Sequence, residues 1–185
     1  MSFTPSKMLP LGTKAPKFRL QDTVSDKILD SDNLFSNKAT LVMFLCNHCP
    51  YVIHVNPELV RLVQDYKKLG VGFIGISSND ADNYPQDGPE LMKEHALKEG
   101  YDFPYLYDET QEVARSYDAA CTPDFFLFDQ NNSLVYRGRL DDSRPGNDKP
   151  LTGKDLRAAL DAVLAQHPIS TVQYPSGGCN IKWKE

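Results

Sequence analysis

Cys46 and Cys49 stand three positions apart, with Asn47 and His48 between them, in the run Leu45-Cys46-Asn47-His48-Cys49-Pro50. A thiol pair at this spacing supports three chemistries: reversible dithiol–disulfide cycling, thiolate ligation of a metal, or packing as small apolar groups. Its surroundings choose among them. Thr40-Leu41-Val42-Met43-Phe44-Leu45 is an apolar run too short for a helix, the pattern of a strand buried on both faces. From Pro50 to Leu69, the residues Val52, Val55, Leu59, Val60, Val63, Tyr66 and Leu69 recur at helical spacing. Pro50 is tolerated in the first turn, Pro57 is expected to kink the middle, and Gly70 closes the end. The cysteines therefore sit where a buried strand turns into a helix. The unpaired amides and positive dipole end there favour a thiolate, and a protonated His48 would add to the effect. Two sulfurs in one helical turn can also come within bonding distance, so the pair can cycle between dithiol and disulfide. A closed zinc site wants four ligands, and one cysteine pair with His48 falls short of that.

The elements that hold this junction read as an α/β domain. Lys17 to Leu34 suggests two short strands around a polar turn, an edge hairpin. Val71 to Ser77 is a second buried strand, which makes strand, helix and strand a parallel crossover unit. Asn79 to Gly88 is a polar loop, Pro89 to Lys98 a short helix, Asp102 to Tyr107 a strand and Thr110 to Tyr117 a helix. Asp124 to Asp129 and Ser133 to Gly138 flank the turn-rich Gln130-Asn131-Asn132 as an antiparallel hairpin. Lys154 to Gln166 closes the set as an amphipathic helix. The tail from 167 to 185 reads as irregular but docked, with Ile181 and Trp183 half-buried.

At 185 residues, 41% hydrophobic and 24% charged, the chain has the composition of one soluble globular domain, and none of an internal repeat, a fibre or a membrane protein. A domain of this size buries about 70% of the surface of its unfolded chain, so its four cysteines are not needed as staples. Twenty basic against 25 acidic side chains leave a net charge of -5 with no basic stripe, which argues against nucleic acid and anionic membrane as partners. The amino terminus through Pro10 lacks a signal-peptide core, and Met1 heads it, so the cytosol is the expected location. In a reducing cytosol, closely spaced cysteines are more often catalytic or metal-binding than structural.

The succession Gly12-x-x-Ala15-Pro16-x-Phe18, Leu41-Val42-Met43-Phe44, Cys46-Asn47-His48-Cys49-Pro50, Phe73-Ile74-Gly75-Ile76-Ser77 and Thr122-Pro123-Asp124-Phe125-Phe126-Leu127-Phe128-Asp129 resembles a thioredoxin-like redoxin of the AhpC/TSA type. The resemblance covers about residues 10 to 165, the core of a single domain over 1–185. It implies a central mixed sheet flanked by helices, with a cis-proline at Pro123 beside the cysteines, in a loop whose backbone pairs with bound peptide. It implies thiol-disulfide oxidoreductase activity on a disulfide-containing protein or small thiol, supplied by an electron donor, with no cofactor. Cys46 would attack and Cys49 resolve. His48 stands where strongly oxidising CxHC enzymes carry histidine, which implies a potential above thioredoxin's, about -270 mV. Thr40 stands where thioredoxins carry a buried acid, so the proton needs another handler.

Two other readings stay open. Peroxiredoxins have threonine at the first position and their peroxide-reactive cysteine at the second, which would make Cys49 the reactive thiol of a thiol peroxidase with antioxidant activity. Cys46 at the first position and Val42 in place of proline depart from that pattern. Thioredoxin-fold copper chaperones use a cysteine pair and a histidine, but with CxxxC spacing. Cys121, two residues before Pro123, is either a third redox thiol or a small buried one. Cys179 lies 13 residues beyond Gln166, about 43 Å of extended chain, enough to cross a body about 40 Å wide. It is either a resolving cysteine or an idle thiol in a tail docked by Trp183. Asn47 and Thr122 are accessory candidates by adjacency. His54 could face the site or solvent; His95 and His167 read as surface residues, and Arg137 and Arg139 as a solvated strand edge.

Overall fold

The computed structural model describes residues 3–185. In chain order the elements are β1 (Phe3–Pro5), β2 (Arg19–Asp22), β3 (Ile28–Asp30), α1 (Ser31–Leu34), β4 (Ala39–Phe44), α2 (Pro50–Lys67), β5 (Val71–Ser77), a single 3₁₀ turn (Pro85–Asp87), α3 (Pro89–Glu99), β6 (Tyr105–Tyr107), α4 (Glu112–Ser116), β7 (Cys121–Thr122), β8 (Asp124–Asp129), β9 (Leu134–Gly138), α5 (Lys154–Leu164) and β10 (Gly177–Asn180). Seven strands make one mixed sheet in the order β3-β2-β6-β5-β4-β8-β9. Its centre is parallel, β4 with β5 and β5 with β6, and its flanks are antiparallel.

The central place of β4 explains its apolar run. Leu41, Met43 and Leu45 pack with Val52, Leu59 and Val63 of α2 on one face, while Val42 and Phe44 pack with Ile74, Tyr117 and Phe126 on the other. Each such buried side chain contributes on the order of 2 kcal/mol, so the strand end that carries Cys46 is firmly held. α2 runs unbroken through Pro57. Ile53, whose carbonyl the proline leaves without an amide partner, is exposed, so water can solvate it. The helix stops at Lys67, which leaves Leu69 exposed, and Leu62 fills the buried stripe instead.

The expected edge hairpin is β2 with β3, although Ser31 to Leu34 turn into α1 under an Asp30 cap. The 102–107 strand is shortened to β6, and the 110–117 helix to α4 behind Gln111 in the left-handed region at φ 64°. The larger correction concerns the tail, which is not irregular throughout. Gly177–Asn180 is a strand, flanked by β1 on one side and β7 on the other in a separate three-stranded sheet. Nothing in its composition announces it, because glycines here serve close approach. A β-carbon on Gly178 would lie 2.0 Å from the Thr122 carbonyl oxygen. Gly178→Ala is therefore expected to cost about 3 kcal/mol or more by overpacking. At about 2–4 °C per kcal/mol for this size, thermal melting should show a fall of 6 °C or more; an unchanged melt would mean that β10 is not tightly seated.

Candidate active site

β4 delivers the chain to Cys46, and Leu45 still donates its amide to the Ile76 carbonyl at 2.9 Å. Three residues later Cys49 is the N-cap of α2, in extended conformation, with Pro50 at the first helical position. Both thiols are almost fully buried. Opposite them is the loop joining β7 to β8, in which the Thr122–Pro123 peptide is cis, as expected. Thr122 touches both cysteines: its hydroxyl lies 3.1 Å from Cys46 Sγ, and its carbonyl accepts from the Cys49 thiol at 3.3 Å. The third sulfur comes from the tail, with Cys179 Sγ 2.8 Å from Cys49 Sγ.

Charge on this cluster falls on Cys49. Its pKa is lowered to about 5, first by the hydrogen bond from the Cys46 thiol, then, against the penalty of burial, by the Cys179 thiol and the Val52 and Cys179 amides. The Val52 amide makes no formal capping bond to the side chain, yet as an unpaired helix-terminal donor it favours the anion. Burial and the Thr122 carbonyl favour the protonated form, and four donors outweigh them. Cys46 moves well upward because its proton is held by Cys49, because it is buried, and because the Cys49 charge and the Asp87 carboxylate lie near. Cys179 is pushed up to about 12, first by burial and then by its contact with the Cys49 sulfur.

The Redoxin family pattern matches residues 10–156. The chain belongs to the Redoxin family. Over 134 residues it is 23% identical to the thiol-disulfide oxidoreductase ResA of Halalkalibacterium halodurans, covering 72% of this chain and 70% of that one. A crystal structure of an uncharacterized conserved protein from Geobacillus kaustophilus is 55% identical and superposes with a TM-score of 0.98 over 100% of this chain and 97% of that one. The thioredoxin domain of a thiol-disulfide oxidoreductase from Bacteroides vulgatus superposes with a TM-score of 0.61 over 80% and 97% at 20% identity, which places the fold as thioredoxin-like.

Within this redoxin site the residue that sequence reasoning missed is Asp87. It is fully buried in the 3₁₀ turn, accepts from the Asn47 amide at 2.9 Å and from the Asn79 side chain at 2.8 Å, and lies 2.8 Å from His48 Nδ1. The His48 contact is close but off the hydrogen-bonding direction, so Nδ1 has no well-aligned partner among the described residues. Asp87 thus sets a buried acid beside the cysteines from a loop 40 residues beyond Asn47, whereas Thr40 is occupied in accepting from the Ser36 amide. No local pattern marks such a long-range contact. Because the Asp87 charge raises Cys46, Asp87→Asn is expected to lower the pH at which Cys46 becomes alkylatable in a Cys49→Ser background. An unchanged or higher midpoint would remove the link.

Asn47 accepts from the Tyr105 hydroxyl at 3.0 Å, so that buried tyrosine braces the loop rather than only filling the core. Cys46 Sγ, a ring nitrogen of His48 and an Asp87 oxygen lie within 4.8 Å of one another, the one group among the described residues able to offer three ligands to a metal. Cys121 points elsewhere: it donates to the Pro123 carbonyl at 3.7 Å, and burial pushes its pKa far up, as suits a packing thiol. Asp124 is a second buried acid, raised by burial, with neither carboxylate oxygen in a hydrogen bond. It alternates with Phe125 and so faces away from α2. Arg137 is engaged with Gln173 and Arg139 with Asp155, so neither is a bare solvated edge. His54 pairs with Ser143 in a cleft of about 240 Å³ that runs to Pro123. His95 is half-buried against Tyr101, and His167 is exposed. No described helix is long and apolar enough to cross a membrane.

Proposed function

We propose that Cys46 and Cys49 form the working couple of a thiol-disulfide oxidoreductase. The observation that carries this reading is the geometry of the two buried sulfurs: Cys49 caps the start of α2, and both lie against Thr122 of the cis-Pro123 loop, at 3.1 and 3.3 Å. The sequence resemblance assigns attack to Cys46; in this reading Cys49 attacks instead, because it stands at the N-cap of α2, where unpaired helix-terminal amides favour a thiolate. Cys49 sulfur attacks a substrate disulfide and releases one substrate thiolate. Cys46 then gives up its proton and attacks Cys49 sulfur, expelling the second substrate thiolate. The protein is left with a Cys46–Cys49 disulfide; two electrons and the Cys46 proton have passed to the substrate, whose second thiolate takes its proton from solvent. Asp87, beside Cys46 and His48, is the group placed to handle the Cys46 proton. A reducing cytosol that returns the couple to the dithiol belongs to this reading.

The test is exchange with oxidised glutathione. The wild-type protein should release reduced glutathione and form the Cys46–Cys49 disulfide, whereas a Cys46→Ser/Cys49→Ser variant should release none. Release from the double variant would contradict the assignment. The same low-pKa sulfur supports a second reading, a thiol peroxidase in which Cys49 is oxidised to sulfenic acid. Fast peroxide consumption that survives Cys46→Ser but not Cys49→Ser would favour it.

A further inference from the structure

Cys179 is separated from Cys49 by 130 residues in sequence, yet their sulfurs lie 2.8 Å apart in a buried contact. The segment that carries it is fixed on every side. Cys179 faces Thr122 in the β10–β7 register and Phe3 in the β1–β10 register. Ser176 donates to the Pro123 carbonyl, and Lys182 donates its amide to Asn79 Oδ1 at 2.9 Å. Gly178 and Gly177 let the strand close on Thr122 and on the Phe3 ring. The tail thus takes up the β7 edge next to the catalytic loop, and it presents a third sulfur to the sulfur at the centre of the exchange chemistry.

We propose that Cys179 is a second exchange partner of Cys49, receiving the disulfide from Cys46 in an internal relay. This rests on the oxidoreductase reading above. Starting from the Cys46–Cys49 disulfide, Cys179 gives up its proton and its sulfur attacks Cys49 Sγ. A Cys49–Cys179 bond forms, the Cys46–Cys49 bond breaks, and the electron pair leaves with Cys46, which takes up the proton that Cys179 lost. The protein stays two electrons oxidised throughout, so no outside oxidant or reductant is consumed. The relay stores the oxidised equivalent on β10 and restores Cys46 as a thiol beside Asp87 and His48.

The experiment uses the full chain as Cys46→Ser and as Cys46→Ser/Cys179→Ser, each loaded at Cys49 with glutathione, then quenched in acid and mapped by mass spectrometry. The single variant should expel glutathione and show a Cys49–Cys179 bridge. The double variant should hold glutathione at least roughly a hundredfold longer, because a thiol packed against the sulfur acts at a high effective concentration. Equal lifetimes, with Cys179 found as a thiol in the single variant, would overturn the relay. Should the serine variant be unfolded by circular dichroism, Cys46→Ala replaces it in both proteins. Wild-type protein in the same glutathione buffer separates the two claims: a Cys46–Cys49 bridge there, with no Cys49–Cys179 bridge in the variant, removes the relay and leaves the oxidoreductase, whereas a wild type with neither a Cys46–Cys49 nor a Cys49–Cys179 bridge removes the oxidoreductase reading itself.

Discussion

Cys49→Ser is expected to lower the rate of disulfide exchange on the order of a thousandfold, about 4 kcal/mol of barrier, because it removes the one sulfur that the site holds as an anion. Cys46→Ser removes only a donor and a closing thiol. It leaves the first attack in place, so the first glutathione is released and a mixed disulfide forms on Cys49. The contrast is sharp because the resemblance to thioredoxin-type enzymes implies the opposite result, with Cys46→Ser inactive and Cys49→Ser trapped. Single-turnover release of glutathione, measured with both variants, separates the two orders of attack. A trapped adduct on Cys46 would reinstate the order read from the sequence.

A rapid alkylation rate that is flat from neutral pH down to about 6 and then falls through a midpoint near 5 is the second large effect expected, since Cys49 is lowered from 9.0 to about 5. In Cys49→Ser this phase should vanish, leaving slower modification of Cys46, whose pKa loses the upward push of Cys49 and keeps that of burial and of the Asp87 charge. A midpoint above 8 in the wild-type protein would contradict the donor set described at Cys49. The same displacement bears on stability. Cys49 is depressed in the folded state, so between pH 5 and 9 the folded protein binds fewer protons than the unfolded chain. Its contribution is fully present above pH 9 and is lost as the pH falls through 5. Cys46, displaced upward, acts in the opposite sense: its contribution is present below the pKa of an unfolded thiol and is lost as the pH rises through its folded value.

The sheet and its helices were legible because they follow period. The buried run before Cys46, the stripe of α2 and the β8–β9 hairpin are patterns of neighbours along the chain, and burial enforces them. The cysteine pair was legible because the same patterns put it at a strand–helix junction, and Pro123 because it stands directly before a buried strand. What could not be read is what the fold brings from afar. Asp87 reaches Asn47 and His48 across about forty residues, and its own neighbours Pro85, Gln86 and Gly88 suggest only a turn. Cys179 was within chain reach of the site, but reach does not choose a destination. Its destination is set by Gly177 and Gly178, which look like loop residues and here allow a strand to close on Phe3 and on Thr122. Arg137 and Arg139 looked solvated because their partners, Gln173 and Asp155, lie 36 and 16 residues away.

Redox titration in glutathione buffers, with mass-spectrometric mapping of the bridged cysteines at each poise, tests the central claim most directly. Hydrogen bonds that stabilise the Cys49 thiolate are lost when its sulfur enters a disulfide, so they favour the reduced form and raise the potential. A two-electron transition that contains the Cys46–Cys49 disulfide is expected, at a potential above about -270 mV. A protein in which Cys46 and Cys49 stay unbridged across the whole range, or bridge only at or below that potential, would contradict it.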